Sequence, residues 1–217
     1  MGLLTLLVHG VALFAKGQLR WTTVGILSSV CAGTAFQLIN NLLPKALVDQ
    51  GAAVGLGFGV ATLVYCASIP GKGFTGFLME IIGRRWTITY ALAGSLPGLF
   101  LMLIAHRAGQ YATVVMVAGG LITGFTVLSS FTAVRMYLSE QVPTALRARG
   151  HIFGESFGRL FAAVLAPGLM LSHTGSPTIF FGTIFVVVAI GAFIPLVFGR
   201  ETVGQLEAVT ERVPALA

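Results

Sequence analysis

Long apolar stretches alternate with short polar connections along almost the whole chain. Six stretches of about 20 residues or more meet this description, at residues 21–43, 52–74, 86–106, 111–138, 151–172 and 177–198. At ~1.5 Å per residue, each is long enough to cross a hydrocarbon core about 30 Å thick. Because lipid offers no hydrogen-bond partners to the backbone, each stretch is predicted to be an α-helix. The predicted fold class is an all-α, polytopic membrane protein with a bundle of six transmembrane helices.

The six predicted spans leave little of the chain for anything else. Residues 1–20 and 199–217 flank the bundle at 21–198, and neither flank is long enough for a soluble domain. The apolar residues 2–15 have no basic segment before them and no small-residue cleavage site after them, so no signal peptide is expected. We therefore expect one membrane-embedded domain with two short flanks.

The composition supports a membrane protein and excludes several other classes. Only 9% of the residues are charged, whereas soluble domains carry about 25% charged residues. The basic residues form no stripe of the kind that binds phosphates, so no nucleic-acid partner is expected. Cys31 and Cys66 lie singly in apolar stretches, and the histidines lack metal-ligand spacing, so neither a metal nor another cofactor is expected.

The positive charges are distributed unevenly between the predicted connections. Lys45 and Arg107 fall on one side of the membrane. The other side carries a larger set, namely Lys16, Arg20, Lys72, Arg84, Arg85, Arg147, Arg149, Arg200 and Arg212. Because Lys and Arg are enriched in cytoplasmic loops, the chain is predicted to lie in the inner (plasma) membrane with both termini in the cytoplasm.

Small residues recur at a spacing of four in two of the predicted spans. They are Gly51, Gly55 and Gly59 in the second span, and Gly150, Gly154, Gly158, Ala162 and Ala166 in the fifth. Residues four apart lie on one helix face, and a face without bulky side chains lets a neighbouring backbone approach closely. Both stripes are predicted to be helix-packing surfaces.

The connection between the second and third spans has the sequence Gly76-Phe-Leu-Met-Glu80-Ile-Ile-Gly83-Arg84-Arg85. The glycines permit a tight turn, and the paired arginines can bridge to carboxylates on neighbouring helices. This sequence resembles the G-x-x-x-D-R-x-G-R-R loop of the major facilitator superfamily, with Glu80 in place of Asp and Ile81 in place of the first Arg. The connection is therefore predicted to be a latch at the cytoplasmic face.

A second resemblance follows the fourth span. Residues 137–150 match Y-x-x-E-x-x-P-T-x-x-R-x-x-G, a segment of sugar-porter-like and metabolite:proton symporter members of that superfamily, through Glu140, Pro143, Thr144 and Arg147. After the last span, residues 200–207 resemble the P-E-T-x-G-x-x-L-E tail of the same members. There Arg200 replaces the proline, and the spacing to the leucine is one residue shorter.

The three resemblances occur in the order that the superfamily has in the C-terminal six of its twelve helices. They cover about residues 16–208 and imply that this chain is one half of a transporter, whose substrate cavity lies between two halves. Residue 1 falls where the central cytoplasmic loop would end. The implied partners are the lipid bilayer, a small organic solute such as an organic acid or sugar, protons, and a second six-helix half or a homodimer partner.

The resemblance also implies a function and a set of gating residues. The function is secondary, proton-coupled transport by alternating access of two bundles. The alternative is a truncated, non-transporting six-helix remnant or interaction module, whose sequence would look the same. The implied cytoplasmic gate network consists of Gly76, Glu80, Gly83, Arg84, Arg85, Glu140, Pro143, Thr144, Arg147, Glu201 and Thr202.

Two charged residues lie within the fifth predicted span. Glu155 and Arg159 are four residues apart on one helix face, roughly 8 and 13 Å from the start of the helix at Gly150. Intramembrane charges cost several kcal/mol unless they are paired or hydrated. A structural ion pair and a proton or substrate site both meet that cost, so both interpretations stay open.

Further polar residues in the spans are candidates for substrate contacts. Arg135 in the fourth span either binds an anionic substrate or extends towards the cytoplasmic interface, and we favour the interface or a pairing within the latch. Gln37, Asn40 and Asn41 lie near the outer end of the first span, a region that contributes substrate contacts in sugar porters. For these amides we favour hydrogen bonding between helices over substrate binding.

One motif points to a different class of protein. Gly154-Glu-Ser156-Phe-Gly158 fits the G-x-S-x-G pattern of nucleophilic serines. That pattern requires a strand-to-helix turn, whereas these residues are predicted to continue a helix. His173, a candidate base on the same span, would lie ~25 Å from Ser156 along the helix. No enzymatic activity is predicted.

Overall fold

The computed structural model describes residues 19–49, 51–140, 152, 155, 156, 158–164, 168 and 177–199. In the ranges 19–49, 51–140 and 177–199 the backbone forms six α-helices: α1 (Leu19–Asp49), α2 (Val54–Ile81), α3 (Arg84–Ala93), α4 (Leu96–Ile104), α5 (Ala112–Glu140) and α6 (Pro177–Phe198). Two single 3-10 turns, Ala105–Arg107 and Gly109–Tyr111, connect α4 to α5. The described residues between 152 and 168 are also helical, and we call them the fifth-span residues. The predicted all-helical fold class is confirmed.

Five of the predicted spans correspond to helices that are long and apolar enough to cross a membrane. The third span consists of α3 and α4 together, because the turn at Gly94 and Ser95 keeps right-handed helical dihedrals and the chain continues as Arg84–Ile104. The fifth predicted span, 151–172, lies for the most part outside the described residues. The chain is a multi-pass membrane protein.

The predicted span boundaries are right for the last helix and too short for the first two. The prediction of 177–198 matches α6, whereas α1 continues past residue 43 to Asp49 and α2 continues past residue 74 to Ile81. Gly76 and Glu80 are therefore helical, not part of a loop. Continuing the helix keeps the backbone hydrogen bonds satisfied where the chain leaves the hydrocarbon.

The core of the bundle is centred on α5, which packs against α1, α2, α3 and α4. α6 completes the bundle against α1, α3 and α4. Hydroxyl groups of α5 donate to carbonyls of the preceding turn, as from Thr123 to Gly119 and from Ser130 to Val127. Burial of these side chains leaves neither hydroxyl group without a partner, because each donates a hydrogen bond within its own helix.

Glycines set the closest helix contacts, although not at the predicted stripe of α2. A Cβ atom at Gly71 would clash with the Phe125 carbonyl oxygen of α5, and one at Gly124 would lie 2.7 Å from the Val64 carbonyl oxygen. In contrast, a Cβ atom at Gly51, Gly55 or Gly59 meets no described atom within 4 Å, so none of the described helices packs on this stripe, and its role as a packing surface stays a prediction. The helix is rotated so that a different face, with Gly71, meets α5.

The predicted stripe of the fifth span is a packing surface at its described positions. Gly158 approaches Ser29 of α1 so closely that a Cβ atom would clash with the serine hydroxyl. Ala162 is buried, and a Cβ atom at Gly33 of α1 would lie 3.2 Å from its methyl group. Gly150, Gly154 and Ala166 lie outside the described residues. The fifth-span residues are therefore held against α1 by small side chains on both helices.

Candidate functional site

The sequence positions one cluster of polar contacts at the turn between α2 and α3. Gly83 has φ 91° and ψ 168°, a backbone conformation that residues with a Cβ atom rarely adopt. Its carbonyl oxygen accepts hydrogen bonds from both the backbone N–H and the hydroxyl of Thr87. This turn ends α2 and begins α3 within two residues, so that Arg84 and Arg85 lie in the first turn of α3.

Arg84 joins the end of α2 to the end of α5. Its Nε lies 3.0 Å from Oε1 and 3.2 Å from Oε2 of Glu140, and its Nη1 donates to the Met79 carbonyl oxygen over 2.6 Å. The two side chains are only 16% and 8% exposed. The Nε–H is thus shared between both carboxylate oxygens, and Nη2 lies 3.0 Å from Oε1, so the two side chains form a largely buried, charge-assisted pair. We call Arg84, Met79 and Glu140 the latch.

Arg85 has a different kind of partner from the predicted carboxylate. Its Nε donates to the Pro195 carbonyl oxygen over 3.2 Å, and its Nη2 donates to that of Leu196. Both carbonyls belong to the last turn of α6, and that of Pro195 also accepts the backbone N–H of Gly199 over 3.0 Å. The guanidinium also complements the negative end of the helix dipole. Gly199 permits this approach, since a Cβ atom there would lie 3.2 Å from Arg85 Cγ.

Two further residues of the predicted gate, Gly76 and Glu80, lie in the described part of the chain but outside the contacts of Arg84 and Arg85 given above. Glu80 is exposed and has no ion pair among the described residues, and Gly76 is a half-buried helical residue. The remaining members, Pro143, Thr144, Arg147, Glu201 and Thr202, lie outside the described residues. The gating role of the whole network stays a prediction.

A cavity of about 490 Å³ lies between α1, α2, α5 and the fifth-span residues. Its lining residues recur at helical spacing, so each helix contributes one face. They are Gly33, Phe36 and Gln37 of α1, Tyr65 and Lys72 of α2, Leu128, Phe131, Thr132 and Arg135 of α5, and Arg159, Ala162 and Ala163. This cavity is the principal candidate site for a ligand, because it combines apolar walls with a few charged groups.

Arg135, Glu155 and Arg159 form an ion-pair cluster at the cavity, which we call the cavity cluster. Nη2 of Arg159 donates to Glu155 Oε1 over 2.6 Å, and Nη2 of Arg135 donates to the same oxygen. The side chains of Arg135 and Arg159 are 42% and 67% exposed, and that of Glu155 is 21% exposed. Arg135 therefore pairs with Glu155 and does not join the latch, whereas its extension towards the cytoplasmic interface stays a prediction.

The predicted amide residues are not a single site. Gln37 lines the cavity, whereas Asn40 is half-buried, Asn41 is exposed, and neither lines it. The structure also places Ser156 and Gly158 in helical backbone, so the serine lacks the strand-to-helix turn of a nucleophile. Among the described residues no group of His, Cys, Asp and Glu side chains could hold a metal ion.

Sequence reasoning missed the cation that α2 contributes to the cavity. Lys72 was counted among the cytoplasmic charges, but it lies nine residues before the end of α2, about 14 Å along the helix axis. It also missed the aromatic wall, in which Phe36 makes edge-to-face contacts with Tyr65 at 6.2 Å and with Phe131 at 5.5 Å between ring centroids. The sequence did contain a signal for Lys72. It lies seven residues after Tyr65, which places both side chains on the same face of a helix.

Comparison with known proteins identifies the family of the chain. The sequence profile of the Major Facilitator Superfamily matches residues 25–215, nearly the whole length. The chain belongs to the Major Facilitator Superfamily. The fold class and the helix-end latch fit that assignment, and the predicted resemblance is confirmed at the level of the superfamily.

The chain is similar to several named Major Facilitator Superfamily transport proteins. It is 31% identical to the niacin transporter NiaP of Acinetobacter baylyi over 77% of this chain and 38% of that protein. It is 29% identical to the cis,cis-muconate transport protein of the same species over 75% and 39%, respectively. It is 24% identical to the inner membrane metabolite transport protein YdjE of Escherichia coli over 88% and 41%. The chain thus spans about two-fifths of the length of these relatives.

Proposed function

We propose that this chain supplies one six-helix half of a secondary transporter that carries a small organic anion together with protons by alternating access. The observation that carries the proposal is the cavity, in which Lys72, Arg135 and Arg159 project from three different helical segments. Among the described residues of this cluster, only Glu155 is a carboxylate. The excess of positive charge favours a negatively charged solute.

The walls of the cavity favour a flat solute. Phe36, Tyr65 and Phe131 contribute aromatic rings to the lining, and Lys72, Arg135 and Arg159 contribute hydrogen-bond donors. Niacin and cis,cis-muconate, the solutes that two relatives are named for, are both carboxylates on planar, conjugated frames. A planar carboxylate of this size is the substrate class that we propose.

A second bundle is part of the proposal because the charged side of the cavity cannot face lipid. Arg159 is 67% exposed, Lys72 is exposed, and cations within a span need water or a partner. The second bundle is either a separate six-helix half or a second copy of this chain. We further propose that the latch lies at the cytoplasmic face, that both termini are cytoplasmic, and that residues 21–198 form the bundle between two flanks.

The test is uptake of radiolabelled nicotinate by vesicles that contain the full 217-residue chain, with and without an imposed inward proton gradient. The chain is reconstituted alone and together with any six-helix protein encoded beside it. We expect saturable uptake that the proton gradient accelerates and that glucose does not inhibit. Lys72→Gln should reduce uptake roughly tenfold, because one charge-assisted contact is lost.

Lys45→Gln is the matched control, because Lys45 is an exposed lysine of α1 that does not line the cavity. Its uptake should equal that of the wild type. Uptake in neither preparation would favour the alternative of a non-transporting remnant. Inhibition by glucose but not by benzoate would contradict the proposed anion class.

A further inference from the structure

A second cavity lies at the turn between α2 and α3. It is an open groove of about 530 Å³, lined by Ile82, Trp86, Thr89 and Tyr90. Its volume falls within the range of small-molecule sites, about 300–1,000 Å³. Ile82, Trp86 and Tyr90 are all exposed, although the opposite face of α3 is buried in the bundle. The groove is therefore a mostly apolar surface that none of the described helices covers.

The groove opens towards lipid. It shares no lining residue with the cavity between α1, α2, α5 and the fifth-span residues, and α3 contributes nothing to that cavity. A second bundle that covered the charged side of that cavity would lie against those helices and not against α3. Because α3 is part of the membrane span Arg84–Ile104, its exposed face meets the bilayer.

The groove lies at the depth where phospholipid headgroups meet the acyl chains. Trp86 and Tyr90 follow the start of α3 at Arg84 by two and six residues, or ~3 and ~9 Å along the helix axis. Trp and Tyr are enriched at this depth because their rings are amphipathic. The Tyr90 ring also packs against that of Phe74 of α2, with 6.2 Å between the centroids. Contact between the two helices therefore holds one wall of the groove.

One cation lies beside the groove without a carboxylate partner. The guanidinium carbon of Arg85 is 5.3 Å from the centroid of the Trp86 ring. Its hydrogen-bond partners among the described residues are two uncharged carbonyl groups of α6, bound through Nε and Nη2. A guanidinium has more N–H donors than these two contacts use, and phosphate oxygens are acceptors that it binds well. Arg85 can therefore bind a phosphate group next to the groove.

The carboxylates at this turn do not neutralise Arg85. Glu140 is paired with Arg84 in the latch. Glu80 lies two residues before Ile82, and residues two apart on a helix do not face each other. Within the described part of the chain, the edge of the groove at Arg85 thus carries a positive charge that favours an anionic ligand.

From this arrangement we propose that the groove is a binding site for an anionic phospholipid of the leaflet on the side of the latch. The headgroup phosphate binds the remaining donors of Arg85, and the first part of an acyl chain lies along Ile82, Trp86 and Tyr90. A zwitterionic phospholipid fits the groove equally well, but its headgroup has no net charge to attract a cation. Arg85 therefore distinguishes the two lipid classes.

The test is quenching of tryptophan fluorescence by brominated phospholipids in the full 217-residue chain. Trp21→Phe leaves Trp86 as the single tryptophan. The protein is reconstituted in phosphatidylcholine bilayers that contain a rising fraction of brominated phosphatidylglycerol or of brominated phosphatidylcholine. Half-maximal quenching of Trp86 should require roughly fivefold less of the phosphatidylglycerol, because one basic residue at the membrane surface contributes about that factor.

Three variants and a relocated tryptophan make the result specific to the groove. Arg85→Gln should remove the preference for phosphatidylglycerol, whereas Arg85→Lys keeps a cation and should retain most of it. Thr89→Phe fills the groove and should remove the preference with Arg85 in place. As the matched control, Trp86→Phe combined with Phe100→Trp moves the single tryptophan to an exposed position of α4 outside the groove. Both lipids should quench it equally, and circular dichroism checks that each variant keeps its helices.

Each other outcome overturns the proposal. Equal quenching of Trp86 by the two lipids would contradict the anionic site. Weak quenching by both would show that protein, such as a second bundle or a second copy of the chain, covers the groove. The same preference at Phe100→Trp, or a preference that survives in Arg85→Gln or in Thr89→Phe, would assign it to the bilayer surface as a whole. None of these measurements involves solute uptake, so the proposed transport function is tested separately.

Discussion

The latch and the cavity cluster use the same pair of chemical groups in opposite ways. In the latch, one arginine grips both oxygens of Glu140, and the two side chains are 16% and 8% exposed. In the cavity cluster, two arginines share one oxygen of Glu155, and they are 42% and 67% exposed. The first arrangement excludes water and joins three helix ends. In the second, both arginines line a cavity and are much more exposed.

The difference shows that an arginine–carboxylate contact has no fixed role. A buried pair resists exchange because each partner would lose its counter-charge in a medium of low polarity. An exposed pair is stabilised less, because water solvates both partners when it opens. We therefore expect loss of the latch to affect stability and loss of the cavity cluster to affect ligand binding.

The largest expected effect is on the latch. Glu140→Ala leaves the guanidinium of Arg84 buried without its carboxylate, so the free energy of unfolding should fall by about 3–5 kcal/mol. Thermal unfolding in nanodiscs, followed by circular dichroism, measures the change. Glu80→Ala removes an exposed carboxylate near the same turn and should change stability by less than about 0.5 kcal/mol. Equal losses in the two variants would remove the distinction between the latch and an ordinary surface charge.

The next largest effect is on the cavity cluster. Arg135→Gln removes a donor from both Glu155 and the solute, so nicotinate affinity should fall roughly 100-fold. The thermal midpoint should change little, because the side chain is 42% exposed. Arg107→Gln, at an exposed arginine of the α4–α5 connection, is the control. A large loss of stability with unchanged affinity would mean that the cluster is a structural ion pair like the latch.

A smaller effect tests the helix contact that serves both regions. α2 contributes Lys72 to the cavity and the Met79 carbonyl to the latch, and its approach to α5 depends on Gly71. Gly71→Ala should separate the two helices and cost about 1–3 kcal/mol, with a loss of nicotinate affinity as well. Gly73→Ala, where a Cβ atom meets no described atom within 4 Å, should retain both properties. If Gly71→Ala changed neither stability nor nicotinate affinity, the close contact between α2 and α5 at Gly71 would be refuted.

The smallest effect is the response to salt. Raising the ionic strength from about 0.1 to 1 M shortens the screening length from about 10 to 3 Å. Nicotinate binding at the exposed cavity cluster should weaken by a few-fold, whereas the stability difference between the wild type and Glu140→Ala should persist. Calorimetry and thermal unfolding at both salt concentrations make the comparison. Equal sensitivity of both regions would show that the latch is open to solvent.

Much of the fold was predictable because a bilayer constrains the chain so strongly. The span at 177–198 matches α6, and every other described span was found, although α1 and α2 are longer than predicted. Hydrophobicity locates the part of a helix inside the hydrocarbon, but the helix continues until a residue such as Gly83 ends it. Lys72 lies inside both the predicted span and α2, and counting it among the cytoplasmic charges hid its place in the cavity.

The site was predictable in part. Arg84, Glu140, Glu155 and Arg159 were candidates from their motifs and from the cost of intramembrane charge, but their contacts were not all foreseen. The partners of Arg85 are main-chain carbonyls of α6, which leave no signature in the side-chain sequence. The absence of a described neighbour at Gly55 and Gly59 could not be predicted either. The spacing of small residues identifies a smooth helix face, but it does not identify the helix that packs on that face.

The sequence by itself determined the five spans that the structure describes, the superfamily motifs and the charges at Glu155 and Arg159, because each depends on residues close together in the chain. Only the tertiary structure decided which charges meet. Arg135 reaches Glu155 rather than Glu140, and Lys72 joins the same cavity, because α2 and α5 cross closely at Gly71 and Gly124 with a particular rotation. That rotation is set by packing between residues far apart in sequence, so no local pattern encodes it.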